Sequence, residues 1–459
     1  MITRIEINGF KSFHDFKMEF TPLTIVAGTN AAGKSNLFDA LRLLSRLAEV
    51  DKIHTAFREE QRGEMHELFT QYDDGECASI MEFTVEMLVN KQITDVWGAT
   101  DTLKYTRLRY ELKIRHFINQ SGLEDLEVIS ENLTTIKHND DNWIKLLPND
   151  VIEQWRPKVV TGKRGTPYIY TELQNDFPVV IVPQDGKHGN KRTIPLLHAT
   201  RTILSSFDSV DFRHILAAKE EMKGWRFLQL NPEDLRQPTS KTTGEDIISF
   251  SGKNLAAALY RIQQTDPYVL KEISRKLNQF VPNYTDVIVK DDKENKQYII
   301  YLIGEDGKEY SSRVLSEGTL RILTLCILEY DEKYTGLLCF EEPENGIHPF
   351  RIKTMVDLLK DLSTDFSETD ASLRQVVINT HSPILVRDIK KWEHDKNVSL
   401  NFAEMRTQIL NINGKKQQIK VTSILPVAKE GQLTLKFSDS DKKMSLLAVQ
   451  EYLGSLNGE

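Results

Sequence analysis

Cysteine is scarce in this sequence. Cys77, Cys326 and Cys339 are the only three in 459 residues, and they form no CxxC pair. That argues against a disulfide framework and against a cysteine-based zinc site. Cys326 and Cys339 lie in apolar runs and read as small core residues of a reducing compartment. Long hydrophobic runs are missing too. No stretch approaches about 18 apolar residues, so no transmembrane helix is expected. The opening "MITRIEINGF" has no basic region followed by an apolar one, which makes the cytoplasm the default compartment. Positive charge is not in surplus either. Lys and Arg number 59 against 67 Asp and Glu, a net charge of -8, so any DNA surface would have to be a local patch. No internal repeat and no sustained heptad pattern is present, which argues against a long coiled-coil arm.

What is present is enough apolar residue, 40% of the chain, for the cores of a two- or three-domain protein. "RIEI" and "DFKMEF" alternate apolar and polar residues, as half-buried strands do. "LTIVA" is continuous, as a buried central strand would be. It runs into "GTNAAGKSN", Gly28, Thr29, Asn30, Ala31, Ala32, Gly33, Lys34, Ser35 and Asn36, which fits GxxxxGK[ST]. The following "LFDALRLLSRLAEV" places Leu37, Leu41, Leu44 and Ala48 on one helical face. Strand, glycine loop and helix together are the context of a phosphate-binding P-loop. Its N–H groups and helix N-terminus cradle phosphates, Lys34 reaches the terminal ones, and the Ser35 hydroxyl ligates Mg²⁺.

The middle of the chain is less distinctive. "SIMEFTVEML", "TRLRYELKI" and "LEVISENL" read as strands. "NLAAALYRIQQ" and "PYVLKEISRKLNQFV" read as helices, and "DVIVKDDKENKQYIIYLIGEDGKEY" as strand, turn, strand, turn. The basic clusters "RPKVVTGKRG" and "QDGKHGNKR" suit solvated loops or a DNA contact. Then "LSEGT" opens a helix. Ser316 and Gly318 there suit either an ordinary N-cap or a second anion site. "GLLCFEEPENGIHP" and "QVVINTHSPILV" each begin as a buried strand and end in polar residues, as strands converging on a ligand crevice do. Glu341, Glu342 and Glu344 repel one another unless a cation or phosphate-bound metal uses them.

The order "GFKSF", "GTNAAGKSN", "LSEGT", "LLCFEEPENGIHP", "INTHSP" resembles the ABC-type ATPases related to RecF and SMC proteins, and most of all their OLD-like branch from bacterial anti-phage systems. The fold class this implies is α/β: a P-loop ATPase head built from residues 1–50 and 310–390, a strand-rich lobe plus helical insertion over 51–309, and a C-terminal tail with a helix over 391–459. The resemblance implies ATP and Mg²⁺ as ligands. Glu341 stands for the acid on the metal side, with Ser35 as the other metal contact. Glu342 stands for the general base and His381 for the switch histidine. Lys11 and Ser12 match positions near the nucleotide, and Ser316 and Gly318 match those that bind a partner's ATP in a head-to-tail dimer. Asn345 and His348 fall where a dimer contact lies in the family, and Glu344 in a turn that crosses to the partner; the motif order places no Q-loop glutamine, for which Gln71 is one candidate. The departures are Glu341 in place of Asp, "LSEGT" in place of LSGGQ, and Ala31 where many relatives carry glycine.

OLD proteins carry a nuclease TOPRIM domain after this histidine. The stretch that follows here is short for that fold, and the DxD pair Asp439 and Asp441 reads as a solvated turn. No built-in nuclease is therefore expected. The pattern is similar to the ATPase subunit of Septu-type systems, with a separate HNH nuclease as partner, or a TOPRIM-type one as in PARIS-like systems. The alternatives are a RecF-like repair ATPase acting on DNA without a nuclease, and a transporter ATPase, which the long separation of Lys34 from Glu341 disfavours. The tail segment "MSLLAVQEYLGSL", with Leu446, Leu447, Val449, Tyr452 and Leu453, offers an apolar stripe for a partner or for its own domain.

Overall fold

Alternation of apolar and polar residues sets the first sheet. In the strand Ile80–Leu88, Met81, Phe83, Val85 and Met87 are buried while the residues between them are only half-covered, the period-2 pattern of a sheet with one face on a core. The computed structural model describes residues 1–59, 64–157, 167–185, 191–242, 244–367, 372–392, 394–412, 415–427 and 448–454. These group into two units: Met1–Trp225 with Asp365–Ala371 and Asp395–Gln450, and Arg226–Thr364 with Ser372–His394 and Glu451–Glu459.

In the first unit Ile80–Leu88 lies inside a five-stranded antiparallel sheet. The strand order is Phe16–Glu19, Ile2–Asn8, Ile80–Leu88, Arg107–Ile118, Glu124–Thr135. Opposed pairs such as Phe83 with Leu112 and Val85 with Tyr110 fill its buried face. On the other face Lys113 pairs with Glu82 at 3.1 Å and Arg109 with Glu86 at 3.0 Å. The strand Leu23–Ala27 is buried at every position. It pairs in parallel with Val398–Ile412, which returns as the antiparallel strand Lys415–Pro426. Nothing in the sequence reading placed strands in that segment. The helix Lys34–Glu49 follows, and Leu37, Leu41, Leu44 and Ala48 are buried along it as their spacing predicts.

The second unit carries three short parallel strands in the order Arg226–Leu228, Gly336–Glu341, Arg374–Thr380. Gly336–Glu341 and Arg374–Thr380 are buried along most of their length, which fits strands covered on both faces. Their register sets Glu341 opposite Asn379. The helices Glu317–Glu329 and Pro349–Asp361 belong to the same unit. A second, antiparallel sheet pairs Tyr284–Asp292 with Gln297–Gly304 and the latter with Glu309–Ser311, matching the strand and turn pattern of that segment. The helices Leu255–Thr265 and Val269–Phe280 fall where their apolar periodicity places them.

Candidate functional site

In the first unit the loop after Leu23–Ala27 turns sharply into its helix. Gly33 has φ 85, a left-handed conformation that a side chain resists. A Cβ there would also come within 1.8 Å of the Thr422 hydroxyl, so glycine is required on two counts. Ala31 adopts φ 63 without being glycine, at a cost of about 1–2 kcal/mol. The helix begins with no side-chain cap and no acidic residue in its first turn. No carboxylate or side-chain cap therefore competes with an anion for the positive dipole end of this helix, as an anion site needs. Lys34 is buried, and its Nζ donates to the carbonyls of Gly28 at 2.7 Å and Thr29 at 2.8 Å. The cation thus sits under the loop's own backbone. Ser35 is exposed at the helix start.

Lys11 and Ser12 reach this loop from the turn after the first strand. Lys11 Nζ forms an ion pair with Asp39 at 2.6 Å, one turn into the helix. The Ser12 hydroxyl accepts from Asn36 Nδ2 at 2.7 Å and lies 2.6 Å from the Thr422 hydroxyl. Thr422, on the strand Lys415–Pro426, therefore touches both Ser12 and the Gly33 corner. Sequence reading missed it, and no local pattern marks it. Beside these residues opens a cleft of about 430 Å³ lined by Lys11, Ser12, Phe69, Gln71, Tyr72 and Lys420. Gln71 is thus brought to Lys11 and Ser12, although its amide donates to the carbonyls of His66 and Phe69.

In the second unit the loops after Gly336–Glu341 and Arg374–Thr380 are laced together. Glu342 has φ 45, a strained conformation for a non-glycine residue. Its N–H donates to both the carbonyl and the side-chain Oδ1 of Asn379, each at 3.1 Å. One carboxylate oxygen lies 3.0 Å from His381 Nδ1, and the other accepts from Asn345 Nδ2 at 2.8 Å. Glu342 and His381 are both half-exposed, so the pair stands open to solvent. Glu341 ends its strand, half-buried, beside them.

Glu344 lies in the turn that follows, with its side chain turned inward. It is 8% exposed, and burial pushes its carboxyl above the usual range even though the Thr380 hydroxyl donates to Oε1 at 2.6 Å. Its Oε2 has no hydrogen-bond partner among the described residues. His348 caps the helix Pro349–Asp361, accepting from Phe350 N–H at 3.4 Å. His381 caps nothing; Ser382 caps the short helix after it. Ser316 does cap the helix Glu317–Glu329, its hydroxyl engaged by the Thr319 N–H and hydroxyl. Gly318 lies against the glutamate loop, where a Cβ would meet the Gly346 carbonyl at 2.6 Å. Asp439, Asp441, Leu446 and Leu447 lie outside the described residues, as do most of the first basic cluster and the centre of the second.

Residues 1–386 match the family profile described as the AAA ATPase domain. The chain belongs to that family. Its fold class is accordingly that of an α/β P-loop ATPase domain, and its activity is that of an ATPase. Among solved structures this AAA ATPase domain chain is similar to an SMC head bound to the C-winged helix domain of ScpA, at 12% identity and TM-score 0.49, covering 93% of this chain and 98% of that one. An SMC head domain from Thermotoga maritima matches at 11% identity and TM-score 0.38, covering 93% and 99%. An Smc head with an extended coiled coil from Pyrococcus furiosus, bound to the C-terminal domain of ScpA, matches at 10% identity and TM-score 0.42, covering 98% and 99%. With these TM-scores below 0.5, the assignment rests on the family match. No curated protein matches at a significant level. Among the described residues no helix is long and apolar enough to cross a membrane, and no group of three or more His, Cys, Asp or Glu could hold a metal.

Proposed function

We propose that this ATPase is the ATP-hydrolysing subunit of an anti-phage defence complex, and that it scaffolds and regulates a separate nuclease. The observation that carries the ATPase part is the pairing of Glu342 with His381 and Asn345, in a chain that also has an uncapped P-loop helix. The loop N–H groups from Gly28 to Asn36 and Lys34 bind the phosphates of ATP. The cleft beside Lys11 and Ser12 gives room for the nucleoside. The Ser35 hydroxyl and the Glu341 carboxylate are each oxygen donors of the kind Mg²⁺ takes, and the ion would neutralise charge on the phosphates. Glu342 takes the proton of the attacking water, Asn345 and His381 orient its carboxylate, and His381 senses the terminal phosphate. The donor set fits: the helix start offers N–H groups and no competing carboxylate, and Glu342 offers an acceptor open to water.

Ser316 and Gly318 serve the ATP of a second copy, head to tail. Support comes from exposed apolar side chains in the same unit, Val314 at 69% and Phe350 at 90% exposed, since exposed apolar side chains of this size suit an interface. The defence role and the nuclease partner, of HNH type first and TOPRIM type second, are supported by the motif order alone.

The test has two arms. Glu342→Gln is expected to keep ATP binding and lose turnover by about 100-fold or more, the scale of a general base. Turnover within about threefold of wild type would remove Glu342 from that role. Co-purification with the nuclease encoded beside it, and plasmid cleavage that depends on ATP concentration, checks the complex. A chain that binds DNA junctions and captures no nuclease would favour the RecF-like repair reading instead.

A further inference from the structure

A carboxylate placed inside a protein needs a reason, because burial disfavours its charge. Glu344 lies three residues after Glu341, covered on nearly all its surface, with one oxygen on the Thr380 hydroxyl and the other without a partner among the described residues. Thr380 does not stop there. Its Oγ1 also accepts the N–H of Ser382 at 2.9 Å. The residue between Thr380 and Ser382 is His381, whose Nδ1 faces Glu342 at 3.0 Å. Two bridges thus join the same two loops. The outer one, Glu342 to His381, is half-exposed; the inner one is buried from Glu344 to Thr380 and part-buried where Thr380 meets Ser382.

We infer that Glu344 is a positioning residue for hydrolysis: through Thr380 it holds the turn around His381 and so sets the imidazole against the Glu342 carboxylate. The inference rests on the reading of Glu342 and His381 as hydrolysis residues. It assigns Glu344 no contact with ATP or water. A turn of three residues with no fixed anchor would let the imidazole swing, and a misplacement of about 1 Å at such a pair costs on the order of 100-fold in rate. The raised carboxyl of Glu344 agrees with a group kept for its geometry.

The experiment compares Glu344→Leu, Glu344→Gln and Thr380→Val in the full chain. Glu344→Leu and Thr380→Val are expected to lower kcat by about tenfold or more while KM for ATP stays within about twofold. Glu344→Gln keeps an acceptor for Thr380 and is expected to restore most of the rate. In a His381→Ala background Glu344→Leu should add less than about a twofold further loss, because two residues acting as one unit are not additive. A second readout does not depend on turnover. In protein with labelled histidine, the ring signal of His381, identified by its loss in His381→Ala, should move in Glu344→Leu and return in Glu344→Gln. An unmoved ring signal in Glu344→Leu overturns the inference. So does an equal loss of kcat in the His381→Ala background. Thr380→Val keeps the shape of the side chain and deletes the hydroxyl with both its contacts, to Glu344 and to the Ser382 N–H, so it carries the same expectations should Glu344→Leu fail to fold. Wild-type turnover in both Glu342→Gln and His381→Ala would defeat the hydrolysis reading instead, and the ring signal alone would then decide whether Glu344 positions His381.

Discussion

At the scale of single residues, buried carboxylates mark the places where this chain gives up stability for order. Glu131 is the clearest. It is fully buried in the first unit, where burial pushes its carboxyl up to about 7 although it accepts the N–H groups of Ile203 and Leu204 and the Tyr110 hydroxyl. A carboxyl whose folded pKa is raised contributes stability below its unfolded pKa, near 4.5, and loses it as pH rises through about 7. The change over that window is roughly 3 kcal/mol, from a shift of that size at about 1.4 kcal/mol per unit. Glu131→Gln should therefore flatten the fall in stability between about pH 4.5 and pH 7. Denaturant titrations of both proteins across that range check it, and parallel curves would refute it. Glu342 shows a different strain, its left-handed backbone at the end of a buried strand. That backbone turns the side chain toward Asn345 and His381.

Among elements, the P-loop corner depends on two partners far apart in the chain. Gly33 supplies a conformation, and Thr422 on the returning hairpin supplies the wall against it. Gly33→Ala asks for left-handed backbone and a contact at 1.8 Å together, so the corner must open. Strain and overpacking of this kind cost about 1–3 kcal/mol, and the first helical turn loses its aim at a phosphate. The expected outcome is a lower unfolding temperature with loss of nucleotide binding by calorimetry; wild-type affinity would show that the corner is not the phosphate cradle. The "LSEGT" helix has a corresponding dependence within its own unit. Its second residue, Gly318, lies on the Gly346 carbonyl, so the helix start packs directly against the glutamate loop.

For the molecule as a whole, the proposal is an assembly. Its surface in the second unit combines exposed Ser316 with Val314 and Phe350. In light scattering, the Glu342→Gln protein with ATP should run at least as a dimer, and Ser316→Arg or Phe350→Asp should return it to monomer. A monomer under all these conditions would rule out the head-to-tail reading. A nucleotide can govern a nuclease only if it binds two conformations unequally, so the same measurement with and without ATP bears on regulation as well.

Much of the site was legible in the sequence because its signals are local. A glycine loop between an apolar run and a helical stripe needs no distant information, and the same holds for "EEPENGIHP" and "INTHSP" at the ends of apolar strands. The tertiary structure decided the rest. It set Thr422 against Ser12, 410 residues away in the chain, and laid an unforeseen hairpin beside Leu23–Ala27. It also made His348 the cap of the helix after it, and turned Glu344 inward onto Thr380. The physical reason is common to all of these. Strand register and loop packing between distant segments carry no period along the chain, so they exist only once the strands have paired.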